Sequence, residues 1–473
     1  MRLTKSKKMY LAFQRAVTDL EGCVAPDPFK YCEYDYELDA TIRELLDDLS
    51  HYEYRPKRAE TFNMPKGELA LRPGLIIHLF DLTVLHYLLS DFIFALDEKL
   101  PPGVTAYRIR KDKKNQFKIK RETAYYVLPK YRRHKIKVEE PWYNLWPEFR
   151  KQLREDLESE KFKYVACTDI TAFFEDVNLN TLAEILKNKA GRYSQDINLI
   201  IEIYKSWALR DPMNVRQERG LPQSVNISGI LSNYYLDVLD EFLEKERKKS
   251  QKIKWYRYCD DITILCTTKE RARHLLLRIG ALLRNLGLNQ NARKTKILSA
   301  QEAVDELFNE SADRISELIS KSQKKGTNRK TLVEQLRREY KKISKKRKLD
   351  KNTETSLMRL YTASSILDVP MLINRVGSDF KRFPVRARNF SAYGRRFINY
   401  KRVLEEFRQL LHQRKRLPLF NYQLAFLVTV FRNLKKPNAG IYKAVLELCH
   451  DNKWHWFVRA QSISTLFYMG VGS

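Results

Sequence analysis

Apolar positions recur at helical spacing over residues 37–49, which predicts an amphipathic helix there. A longer apolar run over 75–96 predicts a second helix. The segment Asp97-Glu-Lys-Leu-Pro-Pro-Gly103 closes it, because paired prolines cannot continue a helix. Between 161 and 300 strand-like and helix-like segments alternate, the mark of an α/β or α+β core. Within that region 164–168 is apolar and β-prone and ends at Asp169, and Asn178 to Asn180 offer an N-cap for a helix at 182–187. Residues 252–266 read as two strands around a two-residue turn at Cys259-Asp260. From about 302 onward the pattern is helical. Leu332, Leu336, Tyr340 and Ile343 set the buried face of one such helix, and 418–473 reads as three more, interrupted at Pro437-Asn-Ala-Gly440 and at Asn452-Lys-Trp454.

Length and charge sharpen this picture. The 473 residues exceed one compact domain, so a main body with attached modules is expected. A hydrophobic fraction of 43% and an aromatic fraction of 12% belong to a folded chain. The net charge of +30 implies a polyanionic partner, because neutralising phosphates releases counterions and relieves self-repulsion. No apolar stretch is long enough to span a bilayer, and no apolar segment follows the basic start Met1-Arg-Leu-Thr-Lys, so nucleic acid is preferred to membrane. Residues 321–348 concentrate the charge, with thirteen Lys and Arg against two Glu, on a pattern suited to a basic amphipathic helix laid along phosphates. The six cysteines are scattered, which indicates neither a zinc site nor a disulfide framework and suits thiols in a reducing cytoplasm.

Candidate chemistry lies in two places. An aspartate at the end of a buried strand, such as Asp169, is costly unless a partner or a metal compensates it. Taken alone it reads as a turn or capping residue. The hairpin Tyr258-Cys259-Asp260-Asp261 alters that reading, since adjacent carboxylates at a tip repel and a divalent cation resolves the conflict. An Asp-Asp pair is common in ordinary turns; one inside an apolar hairpin, 91 residues after a strand-end Asp, is a specific signal.

These segments resemble motifs A and C of the reverse transcriptases, and further motifs follow in the family's order. Gly220-Leu-Pro-Gln223-Ser224, feeding a helix with Ile227, Ile230, Leu231, Tyr234, Tyr235, Val238 and Leu239 on one face, is similar to motif B. Leu286-Gly-Leu-Asn-Gln-Asn-Ala-Arg-Lys294-Thr295-Lys296 is similar to motif D. Met64-Pro-Lys66 with Leu71-Arg72-Pro73 resembles the fingers motif that clamps the triphosphate, and Tyr107-Arg-Ile-Arg110 the Tyr-Gly-Phe-Arg motif with Arg108 in place of glycine.

The resemblance, over roughly 50–300, implies an α+β right-hand polymerase with a C-terminal helical extension: N-terminal extension and fingers at 1–125, palm at 126–301, basic helical thumb at 302–365 and helical domain at 366–473. It implies two Mg2+ ions held by Asp169, Ile170, Asp260 and Asp261, with Lys294 able to protonate the leaving pyrophosphate, although Arg293 and Lys296 are neighbouring candidates. Lys66, Arg72, Arg110, Phe174 and Gln223 would contact the dNTP. Phe174 stands where the family places a gate against the ribose 2′-hydroxyl, with Phe173 as the competitor.

The departures point within the family. Ser224 and Ser228-Gly229 replace residues usual in group II intron and retron enzymes, and no Val-Thr-Gly triplet or zinc module follows the palm. The chain is most similar to bacterial defence-associated and abortive-infection reverse transcriptases. The function this implies is copying an associated structured noncoding RNA into cDNA in the cytoplasm. The alternative is template-independent, protein-primed DNA synthesis. Arg337, Arg338, Lys341, Lys342, Lys345, Lys346 and the 386–396 segment are the candidate RNA contacts, each also readable as generic surface charge. Residues 456–467 resemble the second helix of a HEAT-type pair, though one pair is no repeat array.

Overall fold

The computed structural model describes residues 4–470 except 24, 30, 32–33, 35–36, 68–69, 112–116, 121–141, 209–216, 224, 251, 323–325, 346–349, 418 and 437; for 110–111, 117–120 and 142–148 only the main chain is described. The chain divides into two compact units, Met1–Thr61 with Gly74–Leu307 and Phe62–Pro73 with Phe308–Ser473.

In chain order the elements through residue 158 are α1 (Lys5–Gly22), α2 (Leu38–Ser50), β1 (Glu60–Pro65), β2 (Leu71–Ile76), α3 (Leu79–Leu89), α4 (Ile93–Asp97), β3 (Arg108–Lys111), β4 (Phe117–Lys120) and α5 (Trp142–Glu158). Then come β5 (Tyr164–Thr168), β6 (Ile170–Thr171), α6 (Phe173–Asp176), α7 (Leu179–Ala190), α8 (Ser194–Trp207), α9 (Asn226–Tyr235) and α10 (Asp237–Ser250). The first unit closes with β7 (Ile253–Tyr258), β8 (Asp261–Cys266), α11 (Lys269–Asn285), β9 (Asn289–Gln290), β10 (Lys296–Ser299) and α12 (Ala300–Leu307).

The helix expected at 37–49 is α2, with Ile42 and Leu45 buried. The one expected at 75–96 is not continuous. Leu75 and Ile76 end strand β2, α3 begins only after the His78 ring accepts from the Phe80 amide at 3.3 Å, and a turn at Ser90 separates α3 from α4. A run that is apolar throughout has no period to reveal a strand residue at its start or a break inside it.

The heart of the first unit is a four-stranded antiparallel sheet in the order β10-β5-β8-β7. Helix α11 packs on β5 and β8 through Ala272, Leu275, Leu276, Ile279 and Leu283, all buried. Helix α9 is enclosed on every side: all residues from Ile227 to Tyr235 are buried, Ser228, Ser232 and Asn233 among them. The single apolar face expected through 239 breaks at Leu236, which caps α9. Helix α10 restarts at Asp237 with a changed phase, so Val238 is turned to solvent at 46% exposure while Leu239 stays buried.

The second unit is helical apart from its hairpin segment: α13 (Glu310–Ser322), α14 (Arg329–Ser344), α15 (Lys351–Ile366), α16 (Val376–Arg382), α17 (Ala387–Phe397), α18 (Lys401–His412), α19 (Asn421–Val428), α20 (Ala439–His450) and α21 (Trp456–Gly470). Its core includes Leu357, Tyr361, Phe380, Phe390, Tyr393 and Phe407. Phe62 of β1 packs edge-on against His455 and Phe457, with ring centroids 4.7 and 5.3 Å away. The helices expected at the C-terminus are α19, α20 and α21, with a 3-10 turn (Thr429–Asn433) after α19 and Asn438 capping α20. Among the described residues, no helix is long and apolar enough to cross a membrane.

Candidate active site

Strand β5 delivers Asp169 at its end, with the residue 4% exposed. The chain is then held in place by its main chain: the Asn291 amide donates to the Asp169 carbonyl at 2.8 Å, and Ile170 pairs with Gln290 between β6 and β9. Ala172 next takes a left-handed φ of +48° and turns the chain into α6. The β7–β8 hairpin ends as expected, with Tyr258 paired to Asp261 and Cys259-Asp260 forming the two-residue turn. Cys259 also has a left-handed φ, +57°. A non-glycine residue there costs on the order of 1–3 kcal/mol and persists only where the surroundings enforce it, a pattern that clusters at functional sites. Both chain reversals beside the acidic residues carry this strain.

The pairing of Thr168 with Ile262 brings the end of β5 beside the hairpin tip. Burial, then the neighbouring Asp261 charge, and further the Asp169 charge, push the Asp260 carboxyl up to about 6. Lys294 donates to Asp169, and that contact raises the lysine pKa, with Asp261 and Asp260 adding to the effect. Three carboxylates therefore share one field with one ammonium. Among the described residues no three His, Cys, Asp or Glu side chains already enclose a metal position. Burial first, and then the like charges of Asp261 and Asp169, disfavour the Asp260 carboxylate, and a divalent cation relieves both, so the donor set fits one.

The loop before α9 is tied to the same place. The Leu221 amide donates to the Phe174 carbonyl at 2.7 Å, and the Gly220 amide to the Val177 carbonyl at 2.8 Å. Gly220 takes φ +102°, which a side chain would resist. Gln223 is exposed at the end of this loop. Phe174 and Phe173 are both buried, and Phe174 keeps the larger exposed edge, 9% against 2%.

Sequence reasoning missed the support beneath the hairpin. Arg257 is fully buried, and its guanidinium donates to both Asp240 oxygens at 2.7 and 2.5 Å, to Asn233 Oδ1 at 3.1 Å and to the Cys259 carbonyl at 3.0 Å. Its main chain pairs with 103–105: the Arg257 amide donates to the Gly103 carbonyl at 2.8 Å, and the Thr105 amide to the Arg257 carbonyl at 2.9 Å. A signal existed, since period-two alternation puts Arg257 on the same face as Ile253 and Trp255. Arg108, at the glycine position of the expected Tyr-Gly-Phe-Arg motif, is a structural cation too: its Nε meets both Asp97 oxygens at 3.2 Å. Thr168 and Thr295 share a 2.7 Å hydroxyl contact that joins the strand end to the Lys294 loop.

Of the remaining expected site residues, some belong to the second unit and some fall outside the described side chains. Lys66 and Arg72 belong to the second unit, where the Lys66 amide donates to the Ala70 carbonyl at 2.7 Å. Arg110 lies in β3, but its side chain falls outside the described residues, as does Lys346 altogether. Arg337, Arg338, Lys341, Lys342 and Lys345 are exposed along and just past α14, opposite buried Leu332, Leu336 and Ile343. Lys342 is partly neutralised by Glu339 at 2.7 Å.

Residues 108–358, just over half the chain, match the family described as Reverse transcriptase (RNA-dependent DNA polymerase). No curated relative matches the chain. Similar solved structures include telomerase from Candida tropicalis with a TWJ fragment of telomeric RNA (11% identity, TM-score 0.36, covering 92% of this chain and 68% of that one). The apo Candida tropicalis telomerase gives 9%, 0.38, 92% and 70%, and Candida albicans telomerase with the same kind of RNA fragment 11%, 0.36, 90% and 70%. At these scores the likeness says nothing of substrate or partner.

Proposed function

Because this chain belongs to the reverse transcriptase family and is an RNA-directed DNA polymerase, we propose that it copies an associated structured noncoding RNA into cDNA, with Asp169, Asp260 and Asp261 as its catalytic carboxylates. The observation that carries the site assignment is the convergence of these acids, from a strand end and a hairpin tip, in one electrostatic field with Lys294. Asp169, Asp260 and Asp261, with Ile170 beside them, would hold two Mg2+ ions. Such a pair supplies activation of the 3′-hydroxyl and neutralisation of the leaving pyrophosphate.

The chain's own residues account for the rest of the reading. Lys294 carries a firmly held proton while it contacts Asp169, and released from that contact it is a proton donor for the leaving group. Phe174 stands against the ribose 2′-hydroxyl, and the Gln223 loop, tied to the Phe174 carbonyl, meets the incoming pair. Lys66, Arg72 and Arg110 bind the triphosphate. The exposed cations of α14 bind the RNA backbone, as the thumb of the 302–365 region, and the net charge of +30 supports a bound polyanion. The setting we propose is bacterial anti-phage defence in the cytoplasm.

The test is to purify the protein with its nucleic acid and sequence both the bound RNA and the DNA product. Product complementary to one discrete RNA is expected. Homopolymeric or random DNA attached covalently to the protein would overturn the proposal in favour of protein-primed, untemplated synthesis.

A further inference from the structure

The second unit carries a group of arginines that the polymerase site does not use. Helix α17 presents Arg388 and Arg395 seven residues apart, on one helix face. Arg432 comes from the turn after α19, and α21 supplies Gln461, Thr465, Phe467 and Tyr468. Arg432 is fixed by neutral groups: Nε donates to Thr465 Oγ1 at 3.2 Å, Nη2 to Gln461 Oε1 at 2.6 Å, and its guanidinium carbon lies 5.4 Å from the Tyr468 ring centroid. Arg395 and Arg432 are both half-buried, and among the described residues neither has a carboxylate partner.

Burial lowers the pKa of both, that of Arg432 to about 10; Tyr468 opposes the fall in each, while a neighbouring guanidinium adds to it, Arg395 on Arg432 and Arg388 on Arg395. The belt continues past Arg388. Burial raises the Tyr422 pKa, and Arg388, Arg386 and Arg72 are close enough to oppose that rise, although Arg386 also meets Glu354 at 3.6 Å. Like cations held together partly out of water need a counter-charge, and a guanidinium fixed in orientation suits a phosphate oxygen pair. Beside them two large rings are left in solvent: Phe467 is 62% and Tyr468 51% exposed, with centroids 6.0 Å apart.

We propose that Arg395 and Arg432, with the exposed rings of Tyr468 and Phe467, form a second polynucleotide site that holds a single-stranded segment by its phosphates and a stacked base. The cations suit any phosphodiester, whereas the rings select unpaired bases, because a duplex offers no free base face. The site deepens the reading of this chain as an enzyme that holds its template, and it places part of the grip on α17, α21 and the turn after α19.

The experiment measures binding of labelled 20-nucleotide U and dT strands, and of a 20-base-pair duplex, to the full chain by fluorescence anisotropy across a salt series without dNTPs. Incorporation by the unmodified protein is measured in parallel, so loss of the polymerase reading shows separately from loss of this site. Arg395→Gln with Arg432→Gln should weaken single-strand binding and reduce the salt slope by about 1.4, since each phosphate contact on a single strand contributes about 0.7. Tyr468→Ala, at a position 51% exposed, should weaken it about five-fold or more, and Tyr468→Phe should restore it. Equal effects on U and dT mark a site for phosphate and base alone; a larger effect on U adds a contact to the 2′-hydroxyl. Unchanged affinity and salt slope in both the arginine pair and Tyr468→Ala would overturn the proposal, as would an equal loss of duplex binding.

Discussion

Asp240→Ala tests the support under the proposed catalytic hairpin. Asp240 and Arg257 are both fully buried, and burial pushes the Asp240 carboxyl up to about 6 even though Arg257 pulls it down. Desolvation is therefore the larger effect on this carboxyl, and a buried ion pair is by itself weak evidence of net stability. Removing one partner is another matter, because Arg257 would keep a buried charge with only Asn233 and the Cys259 carbonyl to accept from it. The expected loss is about 3–5 kcal/mol in urea unfolding followed by circular dichroism. Replacing both, Asp240→Leu with Arg257→Met, should cost far less than the sum of the single changes, since an apolar pair avoids desolvation. That double variant separates folding from function. It loses the 3.0 Å hydrogen bond to the Cys259 carbonyl, a charged-donor bond of about 1.5–3 kcal/mol that holds the strained turn before Asp260. Single-turnover dNTP incorporation should fall about ten- to a hundred-fold while the fold persists. A double variant that is folded and as fast as the unmodified chain would refute the positioning role. A loss below about 1 kcal/mol for Asp240→Ala would refute the buried-charge argument.

Phe174→Ala should raise incorporation of ribonucleotides relative to deoxynucleotides, measured as a ratio of kcat/KM; if Phe173→Ala raises it instead, the gate is the other ring. Gly229→Ala should destabilise by about 1–3 kcal/mol in the same urea assay, because an added Cβ would lie 2.4 Å from the Tyr107 ring; a neutral result would mean the ring moves freely. The Asp260 carboxyl, raised to about 6 by burial and then by Asp261 and Asp169, gives a pH prediction. A raised acid binds its proton longer in the folded chain, so without divalent cation its contribution is complete below pH 4 and is lost as pH rises to about 6. Mg2+ must displace that proton, so the rise in melting temperature with Mg2+ should be larger at pH 7.5 than at 5.5; equal rises would remove Asp260 from the ligand set.

What the sequence revealed was local. Strand β5 ending at Asp169, the Tyr258-to-Asp261 hairpin and the α14 face all follow from periods of two or 3.6 within a dozen residues. What it concealed depends on distant partners. Arg257 reads as one more basic residue until Asp240, Asn233 and Gly103 are brought to it by the fold. The break between α3 and α4 has no polar mark inside an apolar run, and the exposure of Val238 follows from one capping residue that resets the helix phase. The Arg395–Arg432 cluster joins segments 37 residues apart in sequence, and only the fold shows that no carboxylate accompanies it among the described residues.

On the function proposed here, Asp169, Asp260 and Asp261 perform templated DNA synthesis. The direct measurement is incorporation of labelled dNTPs on a primed RNA template with Mg2+, comparing the unmodified protein with Asp260→Ala plus Asp261→Ala. Circular dichroism confirms that the variant is folded. Incorporation that depends on Mg2+ and disappears in the folded variant is the predicted result; a folded variant that extends the primer as fast as the unmodified protein would contradict the account.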